Sequence, residues 1–252
     1  MRVFNHLSDW QAARASPEFI GRKIGFVPTM GALHSGHRAL LERARAENDR
    51  VVLSIFVNPT QFNDPADLQR YPRTPEADLS LSEGLVDCVL APSAAEMYPD
   101  NYHYRLTETD LSLRWEGAHR PGHFDGVLTV VLKLLNLVQA HRAYFGEKDW
   151  QQLQLVRGMA RALFLPTEIV ACPTERAPDG LALSSRNSRL STAARQQATL
   201  FPKVLRESPT ADAAVPLLQA AGFGVDYVAD HENIRLGAVR LEGIRLIDNV
   251  RI

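Results

Sequence analysis

Two imidazoles three residues apart stand among two glycines in Met30-Gly31-Ala32-Leu33-His34-Ser35-Gly36-His37, where the hydropathy pattern changes from strand to helix. Upstream, Lys23 to Val27 reads as a short buried strand stopped by Pro28. Downstream, Ala39, Leu40, Leu41 and Ala44 recur at helical spacing among charges. The histidines are therefore expected at a helix N-terminus. Open N–H groups and the positive end of the helix dipole favour an anion there, Gly36 admits a ligand close to the backbone, and imidazoles add hydrogen bonds or protons. A nucleotide phosphate suits this arrangement, although the same pair would also serve as surface polar residues or half of a metal site. For a metal, the sequence offers little: Cys88 and Cys172 are isolated, and neither C-x-x-C nor His-Glu-x-x-His occurs. G-x-x-x-x-G-K-[ST] and G-x-G-x-x-G after a strand are also missing, so a nucleotide would need another device.

Four further segments combine polar residues with strand ends or turns. Asn58 and Gln61 follow an apolar run and would project at its carboxyl end toward a small polar substrate, or simply form an Asn-Pro turn. Gly117 to Phe124 reads as a Gly-rich loop in which Arg120 could hold phosphate or carboxylate, beside His119 and His123, or be a solvated basic loop. Gly146-Glu147-Lys148-Asp149 lies between a strand and a helix, with Lys148 as a point charge for phosphate and Asp149 able to cap the helix; Gln152 lies one turn further on. Ser184-Ser185-Arg186 brings two hydroxyls and a guanidinium into a loop that could close over a triphosphate. In the acidic stretch 64–78, Asp78 is a candidate Mg²⁺ ligand, because Mg²⁺ in nucleotide sites takes one or two carboxylates and the phosphates.

Something must position these residues, and the pattern supplies it. Strand candidates at Ile24 to Val27, Val51 to Val57, Val86 to Leu90, Arg142 to Phe145 and Thr167 to Ala171 alternate with helical patterns at His37 to Glu47, Ala77 to Glu83, Gly126 to Val138 and Trp150 to Phe164. Such alternation predicts an α/β fold, a Rossmann-like parallel sheet with helices on both faces and ligands at the carboxyl ends of its strands. The turn-rich stretch 173–180 breaks the rhythm and marks a boundary between residues 1–173 and 174–252. Beyond it, helices at Ser191 to Glu207 and Ala211 to Ala221, capped by Ser191 and Thr210, and strands at Val225 to Ala229, Arg235 to Leu241 and Ile244 to Ile247 make a small α+β unit.

Composition limits the partners. With 28 Lys plus Arg against 29 Asp plus Glu, no global field recruits nucleic acid or an anionic membrane, so an anion site must be built locally. The N-terminus lacks a signal peptide's apolar run, and Val127 to Val138 is too short to span a bilayer and carries Lys133. A cytoplasmic protein is expected, with both cysteines as small buried residues.

His34-Ser35-Gly36-His37 resembles the His-x-Gly-His signature of nucleotidyl transferases and class I aminoacyl-tRNA synthetases, and Leu183-Ser184-Ser185-Arg186 resembles their partner loop over ATP. With Pro28-Thr29-Met30-Gly31, Ser54 to Phe62, Tyr71-Pro72-Arg73-Thr74, Arg120 to Phe124 and Gly146 to Asp149 in the same order, the chain resembles the pantoate:beta-alanine ligase family from about Lys23 to Leu190, and again at Arg245 to Asn249. That resemblance implies an ATP-dependent ligase that joins pantoate to AMP, releases pyrophosphate, and lets beta-alanine displace AMP. It implies that Met30 to His37, Gly146 to Asp149, Glu175 and Leu183 to Arg186 meet ATP. Within that set, His34, His37, Lys148, Ser184, Ser185 and Arg186 would be catalytic, with His37 the proton donor. It assigns the substrate pocket to Gln61 and Gln152, with Asn58, Arg120 and His123, and with Pro28, Met30, Val130 and Val131 as apolar wall. Mg²⁺, a homodimer and a C-terminal lid also follow from it. Three departures stand out: Thr60 replaces the family's usual Met, Ala77 and Leu81 replace polar groups near Asp78, and the lid is short.

A plain nucleotidylyltransferase is the nearest rival, but Gln61 and Gln152 without a second basic cluster favour a small carboxylic acid. A tRNA synthetase would need an anticodon domain and a basic face. A non-catalytic nucleotide sensor could share the fold but would need neither histidine.

Overall fold

The computed structural model describes residues 1–252, which form two compact units: Met1–Gly146 with Gln151–Cys172, and Glu147–Trp150 with Pro173–Ile252. The main division thus falls one residue from the expected boundary. The second unit also claims the turn at 147–150, which sequence alone assigned to the first.

In the first unit six strands pair in parallel: β1 (Arg2–Phe4), β2 (Ile24–Thr29), β3 (Arg50–Ile55), β4 (Cys88–Leu90), β5 (Arg142–Gly146) and β6 (Glu168–Cys172), in the order β1-β4-β3-β2-β5-β6. Helices α1 (Leu7–Arg14), α2 (Ser35–Glu47), α3 (Pro65–Arg70), α4 (Pro75–Ser82), α5 (Ala94–Met97), α6 (Trp115–His119), α7 (His123–Val138) and α8 (Trp150–Ala162) connect them. Side chains alternate across a strand, and the two hydrophobic layers follow that alternation. Phe26, Val52, Leu90 and Phe145 join one cluster with Leu128, Leu134 and Val156 of α7 and α8, whereas Val27, Leu53, Val89 and Tyr144 join another with Leu41 and Ala44 of α2. Helices therefore cover both faces, as the alternation predicted. The inner strands β2, β3, β4 and β5 are largely apolar on both sides, which is the signature of a buried parallel sheet.

Chain order reverses between β2 and β5, so the turn after β2 lies at the switch point, where open α/β sheets leave a crevice at the carboxyl edge. This turn carries the two histidines. The strand itself runs through Pro28 to Thr29 instead of stopping at Pro28, because Pro28 and Thr29 still register with Ser54 and Ile55 of β3.

The N-terminal strand and helix were not visible in the polar opening sequence. They are held by Trp10, which is fully buried, meets Phe4 and Phe19 edge to face at 5.6 and 5.4 Å, and donates from Nε1 to the Leu137 carbonyl at 2.8 Å.

The second unit is an antiparallel sheet of β7 (Gly224–His231), β8 (Ile234–Leu241) and β9 (Ile244–Arg251), with α9 (Thr192–Gln197), α10 (Leu200–Glu207) and α11 (Ala211–Ala220). Ser191 and Thr210 cap α9 and α11 as expected. The single helix expected from Ser191 to Glu207 is broken at Ala198 and Thr199. Pro202 has no N–H to extend a helix from upstream, but it fits the first turn of a new one. Glu242 and Gly243, both left-handed at φ 50° and 75°, make the two-residue turn between β8 and β9.

Arg235, 1% exposed, anchors this unit: Nε and Nη2 bond Asp230 at 2.6 and 3.0 Å, and Nη1 donates to the carbonyls of Leu205 and Ser208. The Arg235 hydrogen bond, opposed by partial burial and helped by the Ala211 N–H, holds the Asp230 carboxyl below its ordinary pKa. A depressed folded pKa contributes stability above the unfolded value, about 4, that is lost as pH falls through the folded value. Arg235→Met should lower unfolding stability by about 3 kcal/mol, because it strands Asp230 and two carbonyls. It should also flatten the acid dependence of urea unfolding below pH about 4. Parallel acid profiles for the two proteins would contradict the pairing.

Candidate active site

After β2 the chain turns sharply through Gly31 and Ala32, at φ 79° and 50°. The backbone N–H groups of this turn, expected to be open to an anion, are instead taken by side chains. Gly31 donates to Thr29 Oγ1 at 3.2 Å, Ala32 to Asp78 Oδ2 at 3.0 Å and Leu33 to Asp78 Oδ1 at 2.7 Å. His34 donates to His37 Nδ1 at 3.3 Å, and Gly36 to His34 Nδ1 at 3.1 Å. Thr29 in turn donates to the Ser54 carbonyl at 2.7 Å, fixing the turn to the end of β3.

The two histidines form a reciprocal cap at the start of α2, with ring centroids 4.1 Å apart. A backbone N–H can only donate, so each Nδ1 must accept and carries no proton. Both neutral rings are thereby held in the tautomer whose proton sits on Nε2. The cap that starts the helix also fixes which nitrogen can donate to a ligand.

The turn after β3 is built in the same way. Asn58 is 1% exposed and uses both ends of its amide: Nδ2 donates to Gln61 Oε1 at 3.0 Å and to the Gly126 carbonyl at 3.2 Å, and Oδ1 accepts from Tyr98 Oη at 2.7 Å and Thr60 Oγ1 at 3.0 Å. Asn58 therefore orients Gln61 from within the protein. Thr60 supports Asn58 through its hydroxyl. Burial pushes the Tyr98 hydroxyl up to about 12, against hydrogen bonds with Thr60 and Asn58 that lower it, so it remains a donor across the neutral range. The Gln61 carbonyl is held by His123 Nδ1 at 2.8 Å and Arg120 Nη2 at 3.2 Å.

Arg120 and His123, expected in an irregular loop, flank the junction of α6 and α7 and bond each other at 3.1 Å, while Arg120 also pairs with the buried Glu116 at 3.2 Å. A Cβ on Gly126 would fall 2.5 Å from the Thr60 carbonyl oxygen, so only glycine lets α7 lie against this turn. Val130 and Val131 are buried on the same helix; Pro28 and Met30 are half-buried at the end of β2 and after it.

Gln152 is half-buried on α8. Its neighbour Gln151, which sequence reasoning passed over, is buried and donates to the carbonyls of Leu111 and Arg114 at 2.7 and 2.8 Å while accepting from Glu116 N–H at 3.0 Å. It holds the segment that carries Glu116, the partner of Arg120. Nothing in the local sequence distinguishes this glutamine from Gln152; only its helical phase toward the interior does.

In the second unit, Lys148 lies in the 3-10 turn Glu147–Asp149 that follows Gly146, with Nζ 3.7 Å from Asp149 Oδ2. Asn249 of β9 donates to the carbonyls of both Glu147 and Lys148, at 2.8 and 2.9 Å. The adjacent Asp248 receives Arg176 through two bonds, at 2.7 and 2.9 Å, and Arg176 also donates to the carbonyls of Gly180 and Asn249 at 3.0 Å each. Leu183 N–H bonds the Glu175 carbonyl at 2.9 Å, Asn187 Nδ2 the Ala182 carbonyl at 2.9 Å, and Ser184 caps the 3-10 turn Ser185–Arg189. One strand end thus fixes both the Lys148 turn and the segment leading to Ser184, Ser185 and Arg186.

The Asp78 carboxylate, expected as a metal ligand, is 2% exposed and accepts from Ala32, Leu33 and Thr74. No cluster of three His, Cys, Asp or Glu side chains in the molecule could hold a metal ion. Both oxygens thus face hydrogen-bond donors, and the donor set does not suit a cation.

A parallel sheet with helices on both faces and a His-Ser-Gly-His turn at its switch point defines a doubly wound α/β protein. The chain belongs to the pantoate-beta-alanine ligase family, whose sequence profile matches residues 2–251. It is 55% identical over 252 residues to the pantothenate synthetase of Bdellovibrio bacteriovorus, covering 100% of this chain and 99% of that one. With the pantothenate synthetase of Legionella pneumophila it shares 47% identity over 99% of each. It superposes with a TM-score of 0.95 on the crystal structure of pantoate-beta-alanine ligase from Francisella tularensis complexed with beta-gamma ATP and beta-alanine, at 39% identity over 100% of this chain and 97% of that one. Since the chain spans nearly the whole length of these relatives, its compact C-terminal unit is shared with them.

Asn58→Ala should lower the stability of the first unit by about 2 kcal/mol in urea unfolding, because it leaves the Tyr98 hydroxyl and Gln61 amide without their buried partner. Asn58→Asp, which would bury a carboxylate oxygen against the Gln61 and Gly126 carbonyl oxygens, should cost at least as much. An alanine variant as stable as the parent would contradict this network.

Proposed function

We propose that this chain condenses pantoate with beta-alanine at the expense of ATP, through a pantoyl adenylate. The observation that carries this reading is the pair of side-chain-built turns at the carboxyl edge. One presents imidazole N–H donors suited to phosphate, and the other presents an oriented Gln61 amide suited to a small hydroxy acid. Family membership supports it.

In the first step a pantoate carboxylate oxygen attacks the α-phosphorus, and the bond from that phosphorus to the bridging oxygen of pyrophosphate breaks. Charge grows on the departing pyrophosphate, so catalysis consists of positioning and electrostatic stabilisation. His34 and His37 meet the phosphates through Nε2–H, and His37 is the donor to the leaving group. Lys148, Ser184, Ser185 and Arg186 neutralise the phosphates, while Met30 to Gly36, Gly146, Glu147, Asp149, Glu175 and Leu183 line the nucleotide. Gln61 and Gln152 bind pantoate's oxygens, and Pro28, Met30, Val130 and Val131 accept its gem-dimethyl group. Asn58, Arg120 and His123 act at one remove, by fixing Gln61.

In the second step the amine of beta-alanine attacks the acyl carbon, the acyl–phosphate bond breaks, AMP leaves and the nitrogen loses its proton. Mg²⁺ enters with ATP and is held by the phosphates, where it would offset their charge. Residues 174–252 act as a lid that keeps water from the acyl adenylate. The reading also places the enzyme in the cytoplasm as a homodimer, as the family resemblance implies; no helix is long and apolar enough to cross a membrane.

Pantoate alone should release pyrophosphate from ATP, and AMP should appear only when beta-alanine is added. ATP binding without pantoate-dependent turnover would overturn the reading. In single-turnover measurements His37→Ala and Lys148→Ala should each slow pyrophosphate release about 100-fold or more. An unchanged rate would remove the residue concerned from the step.

A further inference from the structure

We propose that Asp78 is a positioning residue for the histidine turn and does not ligate the metal ion that accompanies the nucleotide. Its effect on adenylation rests on the function proposed above; its effect on the turn does not.

Asp78 sits in the buried part of α4 with a carboxylate surrounded by donors. Oδ2 takes the Ala32 N–H at 3.0 Å, and Oδ1 takes the Leu33 N–H at 2.7 Å and the Thr74 hydroxyl at 3.0 Å. A cation placed on these oxygens would meet the positive ends of two backbone dipoles. Those same dipoles belong to the turn that aims His34. Ala32 holds a left-handed φ of 50°, disfavoured for a residue with a Cβ, and the bonds to Ala32 and Leu33 are what keep it there. Gly31, left-handed at φ 79°, brings the turn so close that a Cβ on it would lie 2.9 Å from Asp78 Oδ2. Glycine and aspartate thus form one fitted contact beneath the first histidine.

The geometry demands a carboxylate rather than any polar group. An amide at position 78 offers one acceptor oxygen, and its NH₂ would confront the N–H of either Ala32 or Leu33. The Thr74 hydroxyl can reverse its role, but a backbone N–H cannot.

The test compares Asp78→Asn and Gly31→Ala with the parent by two readouts: amide hydrogen exchange at Ala32 and Leu33, and single-turnover pyrophosphate release across a Mg²⁺ titration. Both variants should exchange faster at these amides. Both should also slow pyrophosphate release by about 100-fold, the scale of a misplacement of about 1 Å. The Mg²⁺ concentration giving half-maximal rate should not move. Parental exchange and rate in Asp78→Asn would overturn the proposal, as would a rate loss recovered by raising Mg²⁺, which would mark a metal ligand. If Asp78→Asn does not fold, Gly31→Ala and the parent decide: unprotected Ala32 and Leu33 amides in the parent contradict it. If the parent releases no pyrophosphate with pantoate, the ligase reading fails, while the exchange data still judge Asp78.

Discussion

Side chains hold the backbone N–H groups from Gly31 to His34, together with that of Gly36, and the chemistry of this protein depends on that constraint. A chain leaving a parallel strand must turn at once to enter its helix, and its N–H groups lose their ladder partners there. Thr29 comes from the strand, Asp78 from a helix 45 residues beyond Leu33, and the histidines from the start of the new helix itself. Since the histidines themselves satisfy the backbone, the local solution to a folding problem determines which of their ring nitrogens can carry a proton.

The neighbouring turn repeats this logic with neutral groups. Asn58, Tyr98, Thr60, His123 and Arg120 surround Gln61 and fix both its side-chain amide and its backbone carbonyl, which leaves the side chain few rotamers. In the second unit, Asp248 and Asn249 near the end of β9 hold the Lys148 turn and the segment leading to Ser184, Ser185 and Arg186. In each case chain segments far apart in sequence fix a turn that local sequence alone could not hold.

Much of this was legible in the sequence because it obeys local rules. The strand period, the helix that begins at the histidine turn, the caps at Ser191 and Thr210 and the chemistry-bearing segments all follow from short patterns. The missed features rest on distant partners. Trp10 needs a carbonyl 127 residues away, Asp78 takes its meaning from Ala32 and Leu33, and Gln151 differs from Gln152 only in helical phase. Arg120 and His123 stood out in the sequence as candidate site residues, but only the fold shows that they grip the Gln61 backbone. The break at Ala198 was foreshadowed by Pro202, a local signal overlooked in favour of a continuous amphipathic run.

The imidazole nitrogens of His34 and His37 offer the most direct test. Nitrogen NMR of the ligand-free protein, labelled in histidine and held about two pH units above the usual imidazole pKa, reports which ring nitrogen carries the proton. The account predicts that both rings are protonated at Nε2 and bare at Nδ1. A proton on Nδ1 of either ring would contradict it, because that ring could not then accept the backbone N–H that shapes the turn.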